Sequence, residues 1–462
     1  MRLVPLISTL LAVALAGCIN HVNVQCGTSS DCNEKGGGVC EAAAGSTHQW
    51  CAYPDLSCGA DGYRYSSVDV GDGVSGACVA QIDAGVGDGG VNIDAAVIDA
   101  RPGDIVANYQ PANLVLGQEG FSTNDVNHGG PSSRSFFFAD SIAVDGTTGT
   151  IWVHDANNGR VLGWSTPPTT SFASADLVVG RTNFTSTTAQ TYTRSTFPAD
   201  GGGIGAGGGK LLIPNSGGNR VLVYNPSPTV NGAEATLVLG QADFTTTISG
   251  AGASNLNSPG AVWTDGTRVV VADSGNNRVL VWSSFPVVNG QPASVVLGQP
   301  GFGTGSSPGT PTASSMSYPT SVASDGTRLF VTDYGSNRVL IWNSFPTVNG
   351  QPADAVLGQA SFSGSSSGIS STTLNQPMGV AVAGSVLFVC DAENSRTLVY
   401  SPLPTTSGAS AQFVLGQPDF VTKTPALSQN ALHGPRYPAV QGSQLYVGDP
   451  NNNRVLRFGL SL

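Results

Sequence analysis

Residues 260–299 read GAVWTDGTRVVVADSGNNRVLVWSSFPVVNGQPASVVLGQ. Short runs rich in Val alternate here with turn residues. GAVWTD and RVVVAD flank Asp265-Gly266, a tight hairpin turn. SGNN turns the chain into RVLVW, and FPVVNGQPA, with its Asn-Gly turn, leads on to SVVLGQ. The stretch predicts four antiparallel strands joined by hairpins, with no helical period. Such a unit cannot bury its faces alone and needs neighbours of its own kind.

The neighbours are present. An Arg followed by an apolar pair recurs at Arg160, Arg220, Arg278, Arg338, Arg396 and Arg454, in steps of 60, 58, 60, 58 and 58. A Gly in LVLGQ-like strings recurs at Gly117, Gly180, Gly240, Gly298, Gly358 and Gly416, in steps of 63, 60, 58, 60 and 58. Six four-stranded units repeated in phase predict the blades of a propeller. A solenoid would need capping repeats, and none is visible. The region opens on a lone fourth-strand motif, Asn113–Gln118, and closes on a third strand, Arg454–Phe458. The leading strand is therefore expected to complete the last blade, leaving no long exposed edge. The expected fold is all-β: a six-bladed β-propeller with four-stranded blades over 108–462, closed by an N-terminal strand and preceded by a small disulfide-rich module.

The strings ADSGNNRVLVW, TDYGSNRVLIW and GDPNNNRVLRF, with HDANNGRVLGW and CDAENSRTLVY, resemble NHL repeats. That resemblance implies a six-bladed propeller. The second unit departs most, with Asn215 in place of the repeated Asp and a Gly-rich first strand, GGGIGAGGG. Gly-rich 201–209 lacks the Lys-Ser/Thr and helix of a phosphate loop.

Ahead of the repeats, Arg2 precedes the apolar run Leu3–Ala14, which is too short to span a bilayer with ordinary flanks. Leu15-Ala16-Gly17-Cys18 resembles a bacterial lipobox. The resemblance implies a signal peptide over 1–17, lipidation at Cys18 and a membrane partner held by acyl chains. Ile19 and Asn20 follow, neither of them the Asp that retains such proteins at the inner membrane of enteric bacteria, so the outer membrane is expected. Cys26, Cys32, Cys40, Cys51, Cys58 and Cys78 form an even set over 18–79, expected to make three disulfides of open connectivity. No C-x-x-C pair favours zinc there. Residues 80–107 read as a flexible Asp/Ala/Gly linker. This module and tether are similar to those of exported myxobacterial lipoproteins. Cys390 stands apart and reads as a small buried apolar residue. A net charge of -11, from 30 acidic and 19 basic residues, argues against nucleic acid.

Residues repeated in nearly every blade read as structural. Asp155, Asp273, Asp333, Asp391 and Asp449 are placed to accept turn N–H groups and to pair with the nearby Arg. Phe121, Phe184, Phe244, Phe302, Phe362 and Phe420 read as core fillers between blades. Function is then sought where units differ. Aligning the entrances of the first strands gives Asp140, Asp200, Gly260, Thr320, Met378 and Arg436. Asp140, Asp200 and Arg436 fall in adjacent blades, with His128 and His433 in the preceding loops and His154 beside Asp155. This set is expected to bind an anionic ligand, or a divalent metal as the one cofactor considered. The alternative is a solvated rim of local salt bridges. No nucleophile elbow stands out, and Cys390 lacks an evident base, so no catalytic residue is assigned. The expected function is a non-catalytic scaffold for a protein, peptide or glycan. The competing expectation is a metal-dependent propeller hydrolase or lyase, lactonase-like or amidoglycolate-lyase-like. With three His and three Glu in the propeller, neither family's metal set maps residue by residue.

Overall fold

The computed structural model describes residues 105–187 and 191–461, together with the strands Val39–Ala42, Gln49–Pro54 and Tyr63–Tyr65. The chain divides into two units between Val97 and Ile98. In the first, the three strands form one antiparallel sheet, and its register sets Cys40 opposite Cys51. The expected signal peptide, Cys18, Cys26, Cys32, Cys58, Cys78 and the linker up to residue 104 lie outside the described residues.

The second unit is built from six antiparallel sheets of four strands. Blade one uses Ala139–Val144, Ile151–Asp155, Arg160–Trp164 and Leu177–Val179. Blades two to five repeat this order. Blade six takes Arg436–Gln441, Gln444–Asp449 and Arg454–Gly459, then borrows Leu114–Leu116 from the beginning of the propeller. Val455 pairs with Leu116 and Arg457 with Leu114, so the ring closes as the lone leading motif predicts. The first strands of successive blades meet around the ring and line a central channel. The packed body reaches back to Ile105, ahead of the expected start at 108: Val106 and Ala107 are buried.

The core lies between blades. Successive strand residues point to opposite faces, and a central strand such as Arg278–Trp282 is buried on both. Val270, Val281 and Leu297 of blade three pack with Val331, Leu340 and Trp342 of blade four. The six repeated Phe side chains are only partly buried and pack at the margin of these clusters. Their backbone carbonyls also hold the blade together, since each accepts a hydrogen bond from the Nη1 of a repeated Arg.

That Arg is the hub of each blade. In blade four, Arg338 Nε donates to Asp333 Oδ2 at 2.7 Å, Nη1 to Phe362 O, and Nη2 to Thr312 O and Ser315 O. Asp333 Oδ1 accepts the Ser317 N–H at 2.7 Å. Both side chains are fully buried. The pair recurs in blades one, three, five and six. One buried ion pair therefore ties the second strand, the third strand and two loops together. In blade two Asn215 stands in, and its Oδ1 accepts from Arg220 Nε at 3.1 Å. Without a carboxylate partner, burial pulls the Arg220 guanidinium down to about 10.

A second device covers the outer edges. The loop between the third and fourth strands of each blade reaches back to the outer strand of the preceding blade. Asn231 Oδ1 accepts from Val178 N, and Gly232 N donates to Val178 O. Asn289 and Asn349 repeat the contact on Val238 and Val296. At blade five, Asn108 and Tyr109 make the same two bonds to Val414. The segment before Leu114 thus supplies the missing loop of blade six as well as its strand, and the edge is protected all round.

Candidate functional site

On the face that carries the blade entrances, repeated bonds fix two backbone positions in blades one, three, four and five and one in blade six. One N–H goes to the blade's own Asp: Phe137, Asn257, Ser317, Asn375 and His433 each donate to Oδ1 at 2.7 Å. The next N–H goes to a left-handed Asn of the preceding blade: Phe138 to Asn453, Ser258 to Asn219, Tyr318 to Asn277 and Gln376 to Asn337. The backbone is held while the side chains vary freely between blades.

Just beyond these positions, the first strand bulges. Asp140, Gly260, Thr320 and Met378 are the bulged residues of blades one, three, four and five. The sequence alignment of entrances holds for these four. In blade two it slips: Gly205 pairs with Leu212 as Ala143 pairs with Trp152, so Gly202 is the counterpart of Asp140. In blade six the irregularity moves inward. Arg436 pairs with Gly448, and the shift falls between Arg436 and Ala439. Gly448 allows this, since a Cβ there would sit 2.9 Å from Asp140 O and 3.2 Å from Arg436 O.

The displaced bulge sends Tyr437 across the channel. Its hydroxyl donates to Gly260 O of blade three at 3.4 Å, and the side chain is buried. A Cβ on Gly203 of blade two would lie 2.7 Å from its ring. The glycines of blade two exist for this close fit. Gly203 N donates to Gly260 O at 2.8 Å, and Val262 N donates to Gly203 O at 2.9 Å, so two first strands touch through backbone. A Cβ on Gly205 would stand 2.5 Å from Val262 O. Beneath Tyr437 the channel holds a cavity of about 180 Å³, lined by Ile142, Ile204, Val262, Val322 and Val380 among others.

Two of the expected site residues are joined directly. Arg436 Nη1 donates to Asp140 Oδ1 at 3.2 Å, while Asp140 Oδ2 accepts the Gly202 N–H at 2.7 Å. The Arg436 guanidinium lies 4.9 Å over the Phe138 ring. Asp200 stands beside this pair without bonding it: its oxygens accept the Gly201 and Gly217 N–H groups at 3.0 and 2.8 Å. Burial, with the Asp140 charge adding to it, pushes the Asp200 carboxyl above the usual range against those two bonds and His154. His154 is buried, with Nδ1 3.0 Å from Gly202 O. Nδ1 donates to that carbonyl, and Nε2 has no hydrogen-bond partner among the described residues.

The other two His are used elsewhere. His128 Nε2 lies 3.2 Å from Glu119, and its ring meets Phe172 edge-on at 5.1 Å. His433 serves Asp449 through its backbone N–H. Neither bonds the Asp140–Arg436 pair among the described residues. Nor do any three His, Cys, Asp or Glu side chains among those residues converge as a metal-binding group. Cys390 is buried within the core, and burial pushes its thiol up to about 12.

Sequence reasoning missed the aromatic frame of the mouth. Tyr318 is 47% exposed, and its ring stands 6.1 Å from Tyr334 at 62°. Tyr334 donates its hydroxyl to Gln376 Oε1 at 2.8 Å. The Arg436 charge acts on both Tyr334 and Tyr437. A signal was present: Tyr318 and Phe138 occupy the same place before the first strand, where the other blades carry small or polar residues.

No protein-family model matches the chain, and no curated protein matches it. Among solved structures it is similar to a chain of the nidogen/laminin complex, at 14% identity, covering 57% of this chain and 75% of that one with a TM-score of 0.34.

Proposed function

We infer that this chain is a lipid-anchored protein of the cell envelope whose NHL-type propeller is a non-catalytic scaffold. Its partner, a protein, peptide or glycan, binds on the face of the blade entrances. The observation that carries this reading is the division of labour on that face: repeated bonds lock the backbone, while neighbouring blades offer different side chains there. Phe137 and Tyr318, 38% and 47% exposed, are large apolar groups of the kind that anchor interfaces. The anchor rests on the Leu15–Cys18 motif.

A photo-reactive residue placed at Phe137 or Tyr318 should trap a defined adduct in envelope preparations, and one at Val288 or Val348, in the turns joining third to fourth strands, should not. Equal trapping at all four positions would refute the reading. Cys18→Ser should move the protein from the membrane to the soluble fraction and abolish fatty-acid labelling.

A further inference from the structure

We propose that the channel mouth is a carboxylate site for an acidic peptide, with Arg436 as the fork and Phe138, Tyr318 and Tyr334 as its frame. The proposal rests on the scaffold reading and names its ligand. The six repeated Arg residues are fully buried, and their Nε, Nη1 and Nη2 atoms are all engaged. Arg436 differs. Its side chain is 32% exposed, and the 3.2 Å bond from Nη1 to Asp140 is its one hydrogen bond among the described residues. Asp140 takes that one bond through Oδ1, and its other oxygen accepts the Gly202 N–H instead of a second guanidinium N–H. A guanidinium has five N–H donors in a planar fork. The remaining donors therefore stand at the mouth with their plane fixed against Phe138. A planar, pre-oriented fork with parallel free donors matches a carboxylate, which it can bind bidentately.

The surroundings select what carries the carboxylate. Asp140 offsets the charge of Arg436 and Asp200 stands beside them, so no anion is held here by net charge, and the fork geometry with its apolar surroundings must select the ligand. Phe138, 4.9 Å from the guanidinium, and the Tyr318–Tyr334 pair at the same blade entrances add apolar surface, which favours a carboxylate with an aromatic or aliphatic neighbour. A sugar ring stacks on a flat exposed face, but Tyr318 and Tyr334 meet edge to face. A peptide fits better, through either its C-terminal carboxylate or an acidic side chain.

Calorimetric titration of the full chain tests this with four probes: acetyl-Gly-Gly-Phe acid, its C-terminal amide, acetyl-Gly-Phe-Glu amide, and an oligogalacturonate. Binding by either acidic peptide, with the neutral amide at least about tenfold weaker, is the expected result. Which acid binds tells a C-terminal from a side-chain carboxylate. Arg436→Gln should weaken that binding about tenfold, and Arg436→Lys, which keeps the charge but not the fork, should fail to restore it. Tyr318→Ala, at an exposed site, should weaken binding severalfold without moving the melting temperature, so the test survives if Arg436 variants misfold. Equal binding of acid and amide, binding of the oligogalacturonate alone, or an unaffected Tyr318→Ala would overturn the proposal. Should site-specific trapping at Phe137 and Tyr318 succeed while both acids fail, this inference falls and the scaffold reading stands. Failure of both sinks the scaffold reading too.

Discussion

Exchanging Gly159 and Arg181 for the residues found in the other blades tests the blade-to-blade clamp. At four junctions a left-handed Asn serves as the clamp. Asn277, for instance, accepts from Tyr318 N at 2.9 Å and donates to Gly305 O at 3.0 Å. A Gln from the fourth strand then caps it: Gln299 Nε2 donates to Asn277 O and Ser306 O at 3.1 and 2.8 Å. Between blades one and two both residues change together. Gly159 takes the Asn position at φ +57°, and Arg181 takes the Gln position. Arg181 Nη1 donates to Gly180 O and Phe197 O at 2.7 and 2.9 Å, filling the space an Asn would need. A Cβ on Gly159 would lie 2.5 Å from Arg181 Nη2. Gly159→Asn alone should therefore cost about 1–3 kcal/mol through overpacking. Arg181→Gln alone removes two charge-assisted bonds, at about 1.5–3 kcal/mol each before water replaces them, so a net loss of about 2 kcal/mol is expected. The double variant restores the Asn–Gln clamp. Its residual cost is the 2.9 Å approach to Phe197 O, and the sum of the single losses should shrink by about 2 kcal/mol. Urea unfolding of the four proteins, compared at equal slope, measures this coupling. Losses that add to within about 0.5 kcal/mol would refute the compensation.

Three further outcomes follow from the same geometry. Asp333→Asn should destabilise the fold by about 3–5 kcal/mol, because it strands the buried Arg338 charge, and denaturant midpoints check it. Gly203→Ala should cost about 1–3 kcal/mol by driving a Cβ into the Tyr437 ring, and the same change made in a Tyr437→Ala background should cost much less, as a double-mutant cycle of denaturant midpoints would show. At Asp265 and Asp325, burial pushes the carboxyl up, but bonds from the N–H and guanidinium groups of Arg268 and Arg328 outweigh it and hold the pKa low. A depressed folded pKa gives stability that is present above the unfolded value near 3.8 and is lost as pH falls through the folded one. Asp265→Asn with Asp325→Asn should thus lower the melting temperature at pH 7 and leave it unchanged in strong acid; an equal drop at both pH values would count against these pairs.

The ring was legible because its causes repeat. Arg338 and Asp333 are needed once per blade, so spacing alone exposes them, and the borrowed strand Leu114–Leu116 shows as a motif out of place. The Phe side chains do pack against the inter-blade clusters, but periodicity did not show that their backbone carbonyls also satisfy the repeated Arg. That Asp140 and Arg436 share a sector of the mouth was legible from the blade count and the aligned entrances; their direct bond was not. Asp200 was misplaced because the glycines of blade two erase the strand pattern on which the alignment depended.

Tyr437 marks where local sequence reading ends. Its course across the channel depends on Gly448 in the adjacent strand, Gly203 four blades' worth of sequence away, and Gly260 on the opposite wall. A Cβ on Gly379 of blade five would meet Tyr437 N at 2.3 Å, so a fourth glycine belongs to the same fit. Each glycine alone reads as a weak strand position. Together Gly203, Gly379 and Gly448 are the imprint of one aromatic ring and the backbone around it, while Gly260 contributes its carbonyl. The course of Tyr437 across the channel follows from that fit, and so does the exposure of Arg436: with the bulge moved inward to Tyr437, Arg436 pairs at the outer end of the strand and its guanidinium stays at the mouth. One bulge thus lays Tyr437 across the channel and presents the free fork. Restoring the bulge to the position it holds in the other blades would be expected to change both together.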